Sequence, residues 1–142
     1  MVVDVTGERD SQKRVEVIKN RLEYEKDSEA FAQKCESQQQ ELRNRIRKAQ
    51  ELLDEVTYDD SILEMAAKIS IEMEVDGHRA DIAMLTTAMT IAAFNGRNKV
   101  SNTDLLEAGE LVLPHRMKKT PFEEGIFNIS KVKDVIEQAH QG

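Results

Sequence analysis

Arg79 is the residue of this sequence whose type and position best suit a chemical role. Asp76 and Gly77 mark the start of a predicted helix whose apolar face holds Ile82, Leu85, Met89 and Ala92 or Ala93. Arg79 then falls in the first turn, where unpaired backbone N–H groups and the positive end of the helix dipole disfavour a cation. An arginine beside free N–H donors can bind a phosphate group. The pattern therefore predicts an anion-binding position at Arg79.

Two neighbouring acids offer a simpler interpretation of Arg79. Asp76 and Asp81 lie close to it in sequence and could neutralise an ordinary surface arginine. Single charges in a first helical turn are common and cost little free energy. From these residues alone, both interpretations stay open.

Three motifs in the second half of the chain share an order with a known family. Residues 75–124 read VDGHRADIAMLTTAMTIAAFNGRNKVSNTDLLEAGELVLPHRMKKTPFEE. The motifs are Asp-Gly-x-Arg-x-Asp, then Gly-Arg-x-x-Val, then Leu-x-His-Arg followed by Pro-Phe-Glu. In these motifs the segment resembles the C-terminal helical lid of the magnesium chelatase ATPase subunit, an AAA+ protein. Residues 3–31 resemble the piece that follows the family's final core strand, and the resemblance is weakest at residues 32–58 and after residue 125.

The resemblance implies a role for Arg79 and a set of cofactors and partners. Arg79 matches the family's sensor-2 arginine, which would contact the γ-phosphate of ATP in its own subunit or in a neighbouring one. The full-length protein would use ATP and Mg²⁺, assemble into a ring, and work with other chelatase subunits to insert a metal into a tetrapyrrole. His78 departs from a position that is often apolar in the family, without affecting the arginine itself.

The chain has no motif that could hold ATP by itself. It contains no G-x-x-x-x-G-K-[ST] loop and no strand that ends in paired acids. Val2, Val3 and Val5 predict a short orphan strand. We therefore expect residues 1–10 to be a remnant of an upstream AAA+ core or linker, residues 11–142 to form a helical lid domain, and this fragment to be inactive alone. The alternative is a non-enzymatic helical adaptor that binds partners through its second helix.

Composition narrows the class of protein. The chain has 142 residues, which suits one domain, and a net charge of −7, which argues against nucleic-acid binding. No apolar run approaches the roughly 20 residues that a membrane span requires. The single cysteine, Cys35, excludes an internal disulfide and is compatible with a reducing cytoplasm, where we expect the protein to reside.

Apolar periodicity predicts an all-α bundle of five to six helices. The expected helices cover residues 11–26, 28–56, 60–73 and 77–94, then a fifth capped by Ser101 and Asp104 and ended by Pro114, and a last one at 129–139. Residues 120–128 are expected to be a loop. The first helix carries Val15, Ile18 and Leu22 on one face. The inward positions predicted for the second helix are Phe31, Cys35, Leu42, Ile46, Ala49, Leu53 and Val56.

A weaker candidate site is the basic cluster His115, Arg116, Lys118 and Lys119 after the fifth helix. The helix dipole alone favours cations at a helix C-terminus, so the cluster needs no function. The functional alternative is a contact with an acidic partner surface or with the nucleotide-bearing core. The three histidines lie far apart and have no ligand partner at metal-binding spacing, so no metal site is predicted.

Overall fold

The computed structural model describes residues 1–117 and 128–140, and this part of the chain contains six α-helices. They are α1 (Ser11–Lys26), α2 (Ser28–Leu53), α3 (Asp60–Glu72), α4 (Arg79–Phe94), α5 (Asn102–Val112) and α6 (Ile129–His140). The all-α prediction is therefore confirmed, and the second helix ends three residues before the predicted Val56. The predicted lid boundary at residues 11–142 stays a prediction.

The chain forms two compact units. A bundle unit comprises Met1–Val3 and Arg47–Gly142, and a two-helix unit comprises Asp4–Ile46. In the bundle unit, α4 packs most extensively on α5, while α3 contacts α4, α5 and α6. Small side chains on α4 allow this close approach, because Ala80, Ala88 and Ala92 are each at most 1% exposed. The larger buried side chains around them are Ile69, Met84, Leu105, Val112, Leu113 and Val132.

Helix ends follow the polar residues that the sequence provides. Asp10 accepts a hydrogen bond from the Lys13 N–H and begins α1. Helix α4 ends at Phe94 with Asn95 as its C-cap residue, and Gly96 follows with a φ of 71°, a left-handed conformation that favours glycine. Ser101 and Asp104 form the predicted capping box of α5. These ends explain why the helix boundaries were predictable.

The two-helix unit buries little of its apolar surface. Helix α1 has no buried residue, and the only buried residue of α2 is Ala49, which lies in the bundle unit. Tyr24 and Phe31 make an edge-to-face contact with ring centroids 6.0 Å apart. The prediction that Leu42 and Ile46 point inward is wrong, since they are 45% and 43% exposed. Polar residues, not core residues, surround them along α2, so periodicity alone overstated burial.

Two further expectations need correction. The predicted strand at Val2–Val5 is absent from the described residues, which contain only the isolated bridges Thr57–Lys99 and Val75–Met117. Residues 2–5 have no described strand to pair with. The Val2 N–H instead donates to the carbonyl of Leu111 at 2.9 Å, in the last turn of α5, where helix carbonyls lack partners within the helix. Ile82, predicted for the buried face of α4, is 66% exposed because Ala80, Met84 and Ala88 form that face.

The predicted loop at residues 120–128 lies almost entirely outside the described residues. Within the described ranges, none of the helices combines the length and apolar character that crossing a membrane requires.

Candidate functional site

The start of α4 is built around a glycine turn. Gly77 has a φ of 76°, which L side chains rarely adopt, and it redirects the chain into the helix. His78 occupies the N-cap position but makes no side-chain capping hydrogen bond. Arg79 lies in the first turn of α4, as the sequence predicted, although the helix begins at Arg79 and not at Gly77; its side chain is exposed. The helix therefore begins with an uncapped turn and an accessible cation.

Asp81, one of the two acids near Arg79 in sequence, lies beside His78. Within residues 1–117 and 128–140, the Arg79 side chain has no hydrogen bond or ion pair. The Asp81 carboxylate lies instead 3.7 Å from Nδ1 of His78. The other carboxylate oxygen of Asp81, Oδ1, is buried and has no hydrogen-bond partner in the described part of the chain. No residue of the described ranges therefore neutralises the Arg79 guanidinium.

The described part of the basic cluster, His115 and Arg116, lies next to a bridge with the segment that leads into α4. An antiparallel bridge joins Val75 to Met117, so the chain after α5 runs against the chain before α4. Arg116, one residue from that bridge, is partly buried, and its Nε has no partner among the described atoms. Lys118 and Lys119 lie outside the described residues. The bridge therefore places Arg116 next to the segment that precedes α4. No contact between Arg116 and Arg79 is observed among the described residues.

A second polar centre lies in the turn between α4 and α5, and the sequence reasoning missed its ion pair. Arg97 donates to both carboxylate oxygens of Asp104, at 2.7 and 2.5 Å. Asp104 is 1% exposed and also accepts from the Ser101 N–H at 2.8 Å and the Ser101 hydroxyl at 2.9 Å. The signal was present: Arg97 belongs to the Gly-Arg-x-x-Val motif, seven residues before the capping acid.

The charges in this centre shift each other's pKa. Burial alone would raise the pKa of Asp104, but the hydrogen bonds from Arg97 and Ser101 outweigh it and hold that pKa below its usual value. The hydrogen bond to Asp104 correspondingly raises the pKa of Arg97. Because the Asp104 carboxylate is held by both Arg97 and Ser101, this centre is suited to joining the turn after α4 to the start of α5.

The match to a family model decides what kind of bundle this is. The model described as AAA lid domain matches residues 63–138, which include most of α3, all of α4 and α5, and most of α6. The chain belongs to the AAA lid domain family. The helices of the bundle unit are therefore lid helices, and Arg79 begins a lid helix.

Relatives of this lid are magnesium-chelatase subunits. It is 45% identical over 141 residues to the "Magnesium-chelatase subunit ChlI homolog" of Methanocaldococcus jannaschii, covering 99% of this chain and 39% of the relative. It is 40% identical over 119 residues to the "Magnesium-chelatase 38 kDa subunit" of Chlorobaculum tepidum, covering 84% of this chain and 30% of the relative. The chain is 32% identical over 138 residues to the "Magnesium-chelatase subunit ChlI" of Synechocystis, covering 97% of this chain and 38% of the relative.

These alignments confirm the resemblance that the motifs indicated. The chain spans well under half the length of each of the three relatives, 30% to 39%. Among the described residues, no group of three or more His, Cys, Asp or Glu side chains is arranged to hold a metal ion.

Proposed function

We propose that this lid serves an AAA+ ATPase motor subunit of the magnesium-chelatase type, in which ATP hydrolysis drives metal insertion into a tetrapyrrole. The proposal is supported by the family membership and by relatives named as magnesium-chelatase subunits. The observation that carries it is Arg79, an exposed arginine without a described partner in the first turn of a lid helix. The complete protein uses ATP and Mg²⁺ and works in the cytoplasm.

In this proposal Arg79 senses the nucleotide. Its guanidinium forms charge-assisted hydrogen bonds with the γ-phosphate, and the uncapped N–H groups of the α4 first turn add positive potential nearby. During phosphoryl transfer, negative charge is spread over the phosphate oxygens, and a positioned cation stabilises that charge. Because Arg79 is fixed to α4, losing the γ-phosphate removes a contact that holds the lid against the nucleotide.

The partners follow from the same arrangement. The lid contacts its own AAA+ core and neighbouring subunits of a ring, together with the other chelatase subunits. We assign Arg116, Lys118 and Lys119 to a contact with an acidic surface of the core or of a partner. Support for Arg116 comes from its Nε, which lacks a described acceptor, and from the Val75–Met117 bridge beside the segment that precedes α4.

A single arginine cannot bind ATP tightly. A charge-assisted hydrogen bond contributes about 1.5–3 kcal/mol, whereas micromolar affinity needs about 8 kcal/mol. We therefore expect the 142-residue chain to show no micromolar ATP binding in calorimetric titration, with or without Mg²⁺. Micromolar affinity for this chain would contradict the proposal that the lid depends on a separate phosphate-binding core.

The decisive experiment is Arg79→Ala in the complete subunit. Removing one charged donor from a phosphoryl-transfer site lowers the rate by about a hundredfold or more. We expect that loss in steady-state ATP turnover, with a smaller loss of nucleotide affinity. Arg43→Ala is the matched control, since Arg43 is an exposed arginine in a surface ion pair with Glu36. Undiminished turnover of Arg79→Ala would reject the sensor role and leave Arg79 as an ordinary surface charge.

A further inference from the structure

Residues 1–3 form a short strap that lies against the bundle unit. They belong to that unit, although the residues that follow them, Asp4–Ile46, belong to the two-helix unit. The Val2 N–H donates to the Leu111 carbonyl at 2.9 Å, in the last turn of α5. That carbonyl has no partner within α5, because the helix ends one residue later. The strap therefore satisfies an acceptor that the helix end leaves open.

The strap also contacts α4 through its first side chain. The Thr87 hydroxyl donates a weak hydrogen bond to the Met1 sulfur at 4.0 Å, between residues 86 apart in the sequence. The neighbouring threonines of α4 use their hydroxyls differently. Thr86 and Thr90 donate to helix carbonyls four residues earlier, those of Ile82 and Thr86, at 2.9 Å each. Of these three threonines, Thr87 is the one whose hydroxyl bonds the strap instead of its own helix.

The strap fills only part of the groove between α4 and α5. This groove has a volume of about 540 Å³, and Met1 borders it together with Phe94 and Leu111. Met1 and Val3 are 77% and 68% exposed, whereas Val2 is 40% exposed. The strap thus bridges the two helices at a place where their own side chains leave space between them. Few contacts hold it there, so a small change in its position changes what α4 and α5 touch.

We propose that the strap positions Arg79 by setting where α4 lies relative to α5. Arg79 and Thr87 are about 12 Å apart along α4, and a packed helix transmits a displacement as a rigid element. The inference rests on the proposed function, in which an AAA+ core precedes the strap. A movement of that core then reaches α4 through Thr87 and α5 through the Val2–Leu111 bond. Thr87 and Val2 are positioning residues, because they act on the nucleotide only through Arg79.

Val2→Pro in the complete subunit tests the proposal, because proline has no N–H to donate to Leu111. A misplacement of about 1 Å at a reacting site can cost about a hundredfold in rate, and the strap is only one of the contacts of α4. We therefore expect Val2→Pro to lower steady-state ATP turnover about tenfold. Val5→Pro is the matched control and should keep the parent turnover, since Val5 lies outside the strap and is 89% exposed.

Combining Val2→Pro with Arg79→Ala separates positioning from a general loss of structure. If the strap acts through Arg79, Val2→Pro should cause no further loss of turnover once Arg79 is alanine. A structural defect would instead lower turnover by the same factor in both backgrounds, and that result would overturn the inference. Parent-like turnover of Val2→Pro, or an equal loss for Val5→Pro, would overturn it as well.

Thr87→Val tests the same contact without altering the strap. The change removes the hydroxyl donor and keeps a side chain of nearly the same shape, so we expect a smaller loss of turnover that again disappears in the Arg79→Ala background. Thr86→Val is its control, because the Thr86 hydroxyl bonds its own helix. Equal losses for the two threonine variants would count against the strap contact. Undiminished turnover of Arg79→Ala would reject the proposed function itself, whatever the strap variants do.

Discussion

The two helix starts at α4 and α5 show opposite solutions to the same physical problem. At α5, the Ser101 hydroxyl accepts from the Asp104 N–H, and the Asp104 carboxylate accepts from the Ser101 N–H. At α4, the N-cap residue His78 makes no side-chain cap, and the first helical residue is Arg79. One start places a buried acid where the helix dipole favours it, and the other places an exposed cation where the dipole opposes it.

The difference separates a helix start whose polar groups stabilise the fold from one whose cation has no partner among the described residues. The Asp104 carboxylate is saturated by Arg97 and Ser101, so an added anion finds nothing to bind there. The N–H groups at the start of α4 lack a side-chain cap from His78 and lie beside a guanidinium without a described partner. We therefore expect variants at the α5 start to lower the stability of the fold. We expect Arg79→Ala at the α4 start to lower nucleotide-dependent activity with little change in stability.

The largest stability effect should come from Arg97→Ala. Removing one partner of a buried ion pair costs about 3–5 kcal/mol. The Arg97 side chain is 42% exposed, so water screens the pair and the Ser101 hydrogen bonds remain. We expect a loss of about 2 kcal/mol in the free energy of unfolding, measured by urea denaturation of the 142-residue chain near neutral pH.

Arg43→Ala is the control for that experiment. Arg43 pairs with Glu36 at 2.8 Å, but the two side chains are 57% and 61% exposed. Such surface pairs contribute about 0–1 kcal/mol. A similar loss in the free energy of unfolding for both variants would show that the Arg97–Asp104 pair stabilises the fold no more than a surface ion pair does.

Acid should remove the stabilisation that the Arg97–Asp104 pair provides. The pKa of Asp104 lies below 3.8 in the folded chain and near that value when unfolded. Its carboxylate therefore stabilises the fold fully above the unfolded pKa, and this stabilisation is lost as the pH falls below 3.8 through the folded pKa. We expect the stability difference between the parent and Arg97→Ala to narrow over that window. A difference that does not narrow at any acid pH where the parent remains folded would contradict the assignment.

The sequence predicted the bundle unit well because its helices obey local rules. Ser101, Asp104, Asn95 and Gly96 specify helix ends through contacts within a few residues, and these signals are visible in sequence. The position of Arg79 followed in the same way from Gly77. The sequence could not predict that Arg79 lacks a described partner, because Asp81 was equally placed to pair with it. The structure shows the Asp81 carboxylate beside His78.

The two-helix unit shows what periodicity does not determine. Leu42 and Ile46 have the spacing of core residues, yet they are more than two fifths exposed. Helical spacing fixes which face a side chain occupies, whereas burial depends on whether another element covers that face. The Arg97–Asp104 pair was missed for a related reason, since it joins residues across a turn whose conformation the motif alone did not specify.

A smaller effect is expected from Ser101→Ala. This change removes the side-chain acceptor of the α5 cap, while Asp104 keeps its bonds from Arg97 and from the Ser101 N–H. Loss of an N-cap serine costs about 1 kcal/mol. Thermal denaturation should show a modest decrease in Tm, and Ser101→Thr should recover most of it because threonine also caps. A loss equal to that of Arg97→Ala would indicate that the hydroxyl, not the guanidinium, dominates the centre.

The smallest stability effect should be that of Arg79→Ala. Arg79 is exposed, has no partner among the described residues, and sits where the helix dipole opposes its charge. Removing it should change the free energy of unfolding by less than about 0.5 kcal/mol, in the stabilising direction if at all. Arg79→Lys, which keeps the charge, should match the parent. Arg79→Ala in a complete subunit should lose turnover, so stability and activity separate at the α4 start. At the α5 start, a loss of stability should lower both together. A destabilisation near that of Ser101→Ala would mean that Arg79 holds the fold and is not reserved for a ligand.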